Sequence, residues 1–465
     1  MSASLERLLA GLRPAFRSDA QFQRLRQQWL AGLVNLGRHT ISGTLTTAGR
    51  QHQDWSASYR AWQQAPVDEV FGYVQQQTLQ RTSGPWVVAL DDSCTRKTGR
   101  RIPGCAWRRD PLSPPFHVNF TWGQRVLQFA AALPAADHSA RLIPVDWCEA
   151  PTVSKPSRLA SADEQAAYRE ARRQANLNQI AVQRMHALRA ATERSIRFVC
   201  DGRFTNRTVL KQLPAGTVLI GRIRRDTQLY AVCSPLKATG RPRRYGTALP
   251  TPEQWRTDES VPWQTVSAQA CGTSHAIRVK PLGPVLARIR GVDTPVQVVV
   301  IAPLGYRLRK GGKLLYRQPA YLLCTDPTVP VATIVQEYLW RWDIEVDFRD
   351  EKTLLGVSEA QVRQPQAVTR QPACAVAAYA LLLLAAADCY AHGQLPPAIP
   401  LPKWRRHVPP RRATTALLIN QLRAELWSQC LRPATLTQFS TCAPPNHNCD
   451  KPLTNLASAV FYARN

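Results

Sequence analysis

Tyr338-Leu339-Trp340-Arg341-Trp342-Asp343-Ile344-Glu345-Val346-Asp347-Phe348-Arg349-Asp350-Glu351-Lys352 decides how this chain is read. Tyr338, Arg341, Glu345 and Lys352 follow one another at offsets of three, four and seven residues. On a straight helix these four fall within roughly 60° of arc, so one narrow stripe carries an aromatic hydroxyl, a guanidinium, a carboxylate and an ammonium. A solvated face laced with ion pairs has the same spacing. Two features point away from it. Trp340, Trp342 and Phe348 crowd the stretch beyond what a wet face needs, and Glu345 sits between two cations. That is the arrangement expected where a metal ion and a phosphate are held side by side.

If Glu345 holds a metal, further carboxylates must come from elsewhere in the chain. Trp86-Val-Val-Ala-Leu-Asp91-Asp92-Ser93 is an apolar run closing on acids, which predicts a buried central strand with carboxylates at its C-terminal edge. Burying an unpaired carboxylate is costly, and coordination of a cation offsets that cost; an Asp-Asp-Ser turn is the plain alternative. Adjacent acids on a strand point opposite ways, so Asp91 and Asp92 are not equivalent. Ile196-Arg-Phe-Val-Cys-Asp201-Gly202-Arg203 repeats the pattern. Between the two lies a polar helix pattern over 161–195, opened by a capping box of Ser161 and Glu164. Strand, helix, strand, each strand ending on an acid, gathers carboxylates at one sheet edge. The segments 116–123 and 125–133 read as two further strands joined by a hairpin turn at Gly123-Gln124.

The Tyr-x2-Arg-x3-Glu-x6-Lys signature, present here without a gap, resembles that of the DDE transposases of the insertion-sequence-four type. The signature itself covers 15 residues, Tyr338 to Lys352. The resemblance implies an α/β fold: a ribonuclease-H-like catalytic core, a mixed sheet flanked by helices, with a β-rich insertion and a helical N-terminal module. It implies Asp91, Asp201 and Glu345 as the catalytic, metal-binding acids. Asp91 fits the family's Asp-x-Ser form and Asp92, its substitute, the Asp-Ser form. Such hard oxygen donors suit Mg²⁺ or Mn²⁺ and suit zinc poorly. Two ions about 4 Å apart would serve in-line phosphodiester displacement. Tyr338, Arg341 and Lys352 are then expected on DNA, joined by Arg96, Lys97 and Arg203 from the basic stretches behind the first two acids. The implied partners are double-stranded DNA, as transposon terminal inverted repeats and target, and a second copy of the chain in a synaptic dimer. Spacing alone supports only metal-dependent phosphoryl transfer on DNA. A ribonuclease-H-like nuclease without strand transfer and a non-catalytic DNA-binding relic both remain open at this point.

Composition agrees with a polyanionic partner. Sixty Lys+Arg against 32 Asp+Glu give a net charge of +28 in 465 residues, and each neutralised phosphate would release counterions. An anionic membrane surface or an Arg-rich coding background would give the same excess. Twelve cysteines without a CxxC pair favour free thiols in a reducing compartment. Cys442, His447 and Cys449 fit no standard zinc spacing. The N-terminus has no secretory pattern, and the most apolar run, 373–387, is short for a membrane span, so a cytoplasmic, nucleoid-associated protein without a membrane role is expected.

Five stretches follow: a helical module at 1–75, for DNA binding or for dimerisation, the first part of the core at 76–221, the insertion at 222–327, the second part of the core at 328–395, and a basic, helical C-terminal region at 396–465. In the insertion, Trp255 and Trp263 are candidates to stack a displaced base, against a plain core role. The signature is expected on one helix from about Val331 to Gly356. After Gly393 a proline-rich break leads to Lys403–Arg406 and Arg411-Arg412, suited to phosphates or to a solvated linker.

Overall fold

A computed structural model describes residues 1–427 except 111–112, 115, 154, 233–244, 271, 290–291, 310, 391–393, 397–409 and 411. The basic turn at 241–244, Lys310, Lys403–Arg406, Arg411 and the Cys442–Cys449 group lie outside the described residues.

Helices α1 (Ser2–Gly11), α2 (Asp19–Val34), α3 (Ile41–Thr47), α4 (Ser56–Ala61) and α5 (Val67–Gln80) form the N-terminal module. The Ser18 hydroxyl caps α2 by accepting from Gln21 N at 3.3 Å. The sheet begins with β1 (Trp86–Arg96), β2 (Cys105–Arg109), β3 (Phe120–Pro134) and β4 (Ala140–Glu149). Helices α6 (Ala162–Gln174) and α7 (Leu177–Ala190) then lead to β5 (Ile196–Cys200), α8 (Arg207–Lys211) and β6 (Thr217–Arg222). Strands β1, β5 and β6 run parallel, and β3 pairs antiparallel with β1, β2 and β4.

The stretch at 222–327 holds β7 (Leu229–Ala231), β8 (Ala248–Leu249), α9 (Pro252–Thr257), β9 (Gln264–Ala270), β10 (Thr273–Ala287), β11 (Val296–Ile301), the small β12 (Gly305–Arg307) and β13 (Leu314–Tyr316), and β14 (Ala320–Cys324). All but β12 and β13, which pair with each other, continue the core sheet, because β14 pairs antiparallel with β6. Trp255 and Trp263 pack against the hydrophobic core. Helices α10 (Val331–Trp340), α11 (Asp343–Thr353), α12 (Pro365–Cys389) and α13 (Thr415–Trp427) follow among the described residues. Helices α10 and α11 pack on the strands around β1, β4 and β5. This mixed sheet flanked by helices is the ribonuclease-H-like core that the resemblance implies. Helix α12, 25 residues long, has the length and apolarity to cross a membrane. Its side chains are instead buried against α1, α2, α5 and β4, as those of a core helix are.

Three expectations need correction. The helix at 161–195 is two helices, because Asn176 accepts from Asn178 N at 2.9 Å and so caps a new one. The Ser161–Glu164 capping box is present. No hairpin turn occurs at Gly123-Gln124: both residues lie inside the continuous β3, where Gly123 faces Arg96 of β1 and Ala106 of β2. A β-carbon at Gly123 would sit 2.3 Å from the Thr95 carbonyl oxygen, so the glycine serves close strand approach rather than a turn. Gly123→Ala is therefore expected to lower stability by about 1–3 kcal/mol, read by urea unfolding; an unchanged midpoint would count against this role. The third is the signature helix, which is divided into α10 and α11 at Arg341-Trp342.

Candidate active site

Trp86, Val88 and Leu90 are fully buried, and the apolar run ends where the pairing of β1 with β5 ends, although β1 itself runs on beside β3 to Arg96 rather than closing on the acids. Leu90 is in register with Cys200 on the adjacent parallel β5. The next residue on each strand is an acid, so Asp91 and Asp201 stand side by side at one edge. Burial, then the charge of Asp201, pushes the Asp91 carboxyl up to about 6, against the pull of Arg341. Asp201 is oriented by its own turn, its Oδ1 accepting from Arg203 N at 2.9 Å.

The signature approaches this edge from α10 and α11. These are two helices rather than one, joined at Arg341-Trp342 by tighter i→i+3 bonds, with Trp342 N donating to Leu339 O at 3.2 Å and Glu345 N to Trp342 O at 3.1 Å. Tertiary anchors grip both sides of the joint. Trp340 Nε1 donates to the His138 carbonyl at 2.9 Å, and Asp343 accepts from Leu142 N at 3.1 Å and from the Arg412 guanidinium. Arg412 is thus occupied inside the protein rather than on a phosphate.

Arg341 sits at the joint. Its Nη1 donates to Asp91 Oδ2 at 3.0 Å and its Nη2 to Glu345 Oε1 at 3.3 Å, while its guanidinium lies 5.6 Å from the Tyr338 ring. Burial opposes the charge of Arg341, yet Tyr338 and the carboxylates around it hold its pKa above the ordinary value. Burial also raises Tyr338. Lys352 Nζ donates to Ser93 Oγ at 2.5 Å, tying α11 to β1 two residues beyond Asp91; burial lowers its pKa.

Asp92 turns to the opposite face, where both its oxygens accept from Arg203 Nη1, at 2.9 and 2.8 Å. Burial raises its pKa, and the charges of Arg203 and Arg125 oppose that rise. Of the residues expected on DNA, Arg203 and Arg96 reach solvent; Arg96 shares an ion pair with Asp110 at 2.9 Å. Lys97 turns inward, its ammonium donating to the Ser358 carbonyl at 3.0 Å.

Sequence reading missed two features. Arg125 and Arg108 join Arg203 on the Asp92 side and bear buried N–H groups without a protein partner. Arg125 was hidden because its segment reads as an ordinary strand. Glu351 is the second. It looks like part of an exposed Asp-Glu-Lys charge run but is almost inaccessible. Burial pushes its carboxyl up to about 8, with Gln128 and the Lys352 charge pulling the other way. Gln128 is the cross-strand partner of Asp91 on β3.

A family model described as DDE superfamily endonuclease matches residues 11–275. The chain belongs to the DDE superfamily endonucleases. The match spans Asp91, Asp92 and Asp201 and ends before Glu345. Comparison with curated proteins gives no match. Endonuclease domains of this superfamily generally use divalent metal ions. Among the described residues, no three His, Cys, Asp or Glu side chains stand together as a ready metal cage, and Arg341 bridges Asp91 and Glu345. The donors nevertheless suit a hard divalent cation: burial, then the charge of Asp201, makes Asp91 resist ionisation, and a cation held by these carboxylates would remove that resistance.

Proposed function

We propose that this DDE endonuclease is a DNA transposase of the insertion-sequence-four type, cutting at transposon ends and joining them to target DNA. What carries the reading is the convergence of the signature on β1: Arg341, which holds Glu345, reaches Asp91, and Lys352 reaches Ser93, across about 250 residues of chain. The roles follow from that convergence. Asp91, Asp201 and Glu345 would hold the divalent ions, Mg²⁺ or Mn²⁺, whose chemistry is to activate water or a 3′-hydroxyl and to stabilise the leaving oxygen. Arg341 keeps Asp91 and Glu345 on one side of β1. Tyr338, Arg341 and Lys352 meet DNA by exchanging part of their present contacts for phosphate oxygens or a flanking base. Arg96 and Arg203 are exposed and now pair with Asp110 and Asp92; a guanidinium can take a phosphate through two parallel hydrogen bonds. The positive charge of the chain supplies affinity that depends on salt but not on sequence. The terminal inverted repeats, the target DNA, the synaptic dimer and a cytoplasmic, nucleoid-associated site of action belong to this same proposal.

The test is cleavage of a labelled DNA carrying the inverted repeats that flank the gene, with Mg²⁺ or with EDTA. Wild type is expected to cut at the repeat boundary with Mg²⁺ and to join the cut end to a second DNA. Glu345→Gln is expected to bind with similar affinity and not to cut. Cutting without joining would replace the transposase by a nuclease of the same fold. Salt-sensitive binding with no cutting by either protein would leave a DNA-binding relic, and cutting by Glu345→Gln would remove Glu345 from the acid set.

A further inference from the structure

The two strands beyond the active-site edge carry an aromatic face that the acids do not use. Strand register fixes which side it is on. Asp91 pairs with Gln128 on β3, and residues at even spacing along β3 share its face, which includes Trp122 and Phe120. Trp107 and Arg109 of β2 lie opposite these two, again on the Asp91 face. Six residues separate Gln128 from Trp122, or about 20 Å at strand rise.

This face is open. Trp107 is 55% and Phe120 63% exposed, unlike Trp255 and Trp263, which pack on the core. The Trp107 and Trp122 rings meet edge to face at 5.7 Å, with the Arg100 guanidinium 4.7 and 5.4 Å from their centroids. Trp122 Nε1 donates to the Gly99 carbonyl at 3.0 Å, holding the loop that carries Arg100 against the strands. From Arg96 to Gln124 the segment has six basic residues and a single acid, Asp110, which pairs with Arg96. Exposed aromatic rings interleaved with guanidiniums match one chemistry closely: unpaired bases that stack on the rings while the arginines take the phosphates.

We propose that the β2–β3 face formed by Trp107, Phe120 and Trp122, with Arg100 and Arg109, binds unpaired nucleotides of a DNA strand leading to the cleavage site. The proposal rests on the DNA-cutting reading above but concerns a site distinct from its acids. The test uses full-length protein in EDTA, so that nothing is cut. Two fluorescently labelled duplexes of the same sequence are compared, one blunt and one with a short single-stranded tail carrying 2-aminopurine. Wild type is expected to prefer the tailed duplex and to quench the 2-aminopurine. Trp107→Ala should lose about tenfold of the tailed affinity and leave blunt binding unchanged. Trp107→Phe should restore most of the preference, and equal melting temperatures would exclude misfolding.

Blunt binding with no tail preference in wild type, or a preference that survives both Trp107→Ala and Phe120→Ala, overturns the stacking site and spares the DNA reading. No binding of either duplex overturns both. Because β2 is an edge strand, the face could instead bind a second copy. Self-association in sedimentation that Trp107→Ala abolishes, without a tail effect, would replace the proposal by that interface.

Discussion

Asp91→Asn is expected to reduce metal-dependent DNA cleavage by more than about 100-fold, beyond the 10–100-fold losses typical of groups that only orient a ligand. Asp92→Asn is expected to stay within about tenfold of wild type. The two acids are neighbours on β1, and the strand sends them to opposite faces. Asp91 meets Arg341 and, through it, Glu345; Asp92 is held by Arg203. Single-turnover cleavage of the same labelled end by both variants decides between them, and the reverse order of losses would make Asp92 the essential acid. A pH dependence accompanies this. Burial and the charge of Asp201 push the Asp91 carboxyl up to about 6, so in the proposed role a proton would compete with the ion below that value. The Mg²⁺ concentration for half-maximal cleavage should therefore rise as pH falls through about 6, and it should change little between 7 and 8.

The second large effect is on stability. Glu351 lies buried against the site strands with its carboxyl raised to about 8, whereas an unfolded-chain glutamate titrates near about 4.3. Between these values the folded protein keeps a proton that the unfolded chain has released. The bound-proton difference thus lowers stability as pH rises from about 4 to about 8, and the loss levels off above that. Glu351→Gln keeps the shape and removes the titration. It is expected to match wild type at about pH 4 and below and to be more stable at pH 8 by an amount on the order of a few kcal/mol. Asp347 is also buried and raised, so the difference between variant and wild type, rather than either profile, isolates Glu351. Parallel profiles in urea unfolding at several pH values would mean that Glu351 is hydrated or paired in solution.

Much of the architecture is legible in short-range pattern. Apolar runs ending on Asp91 and Asp201 predict two buried strands, and the structure makes them adjacent and parallel. Ser161 with Glu164 marks a helix start, which the capping box bears out. These readings succeed because burial periodicity and capping are local: the residues that set them lie within a turn or a strand of one another.

Readings that depended on distant partners came out differently. The signature spacing predicts one straight helix, but the His138 carbonyl and Leu142 N grip Trp340 and Asp343 on either side of the tighter turn at Arg341. Gly123 has the look of a turn residue until the Thr95 carbonyl is seen against it. Lys97 and Arg412 read as phosphate contacts, yet their partners are Ser358 and Asp343. The sequence by itself determined which residue types face one another along each element and supplied the acids, the signature and the positive charge. The tertiary structure alone decided which charges are buried, which are paired and which remain for a ligand. Desolvation and ion pairing are set by neighbours that the chain brings together only on folding.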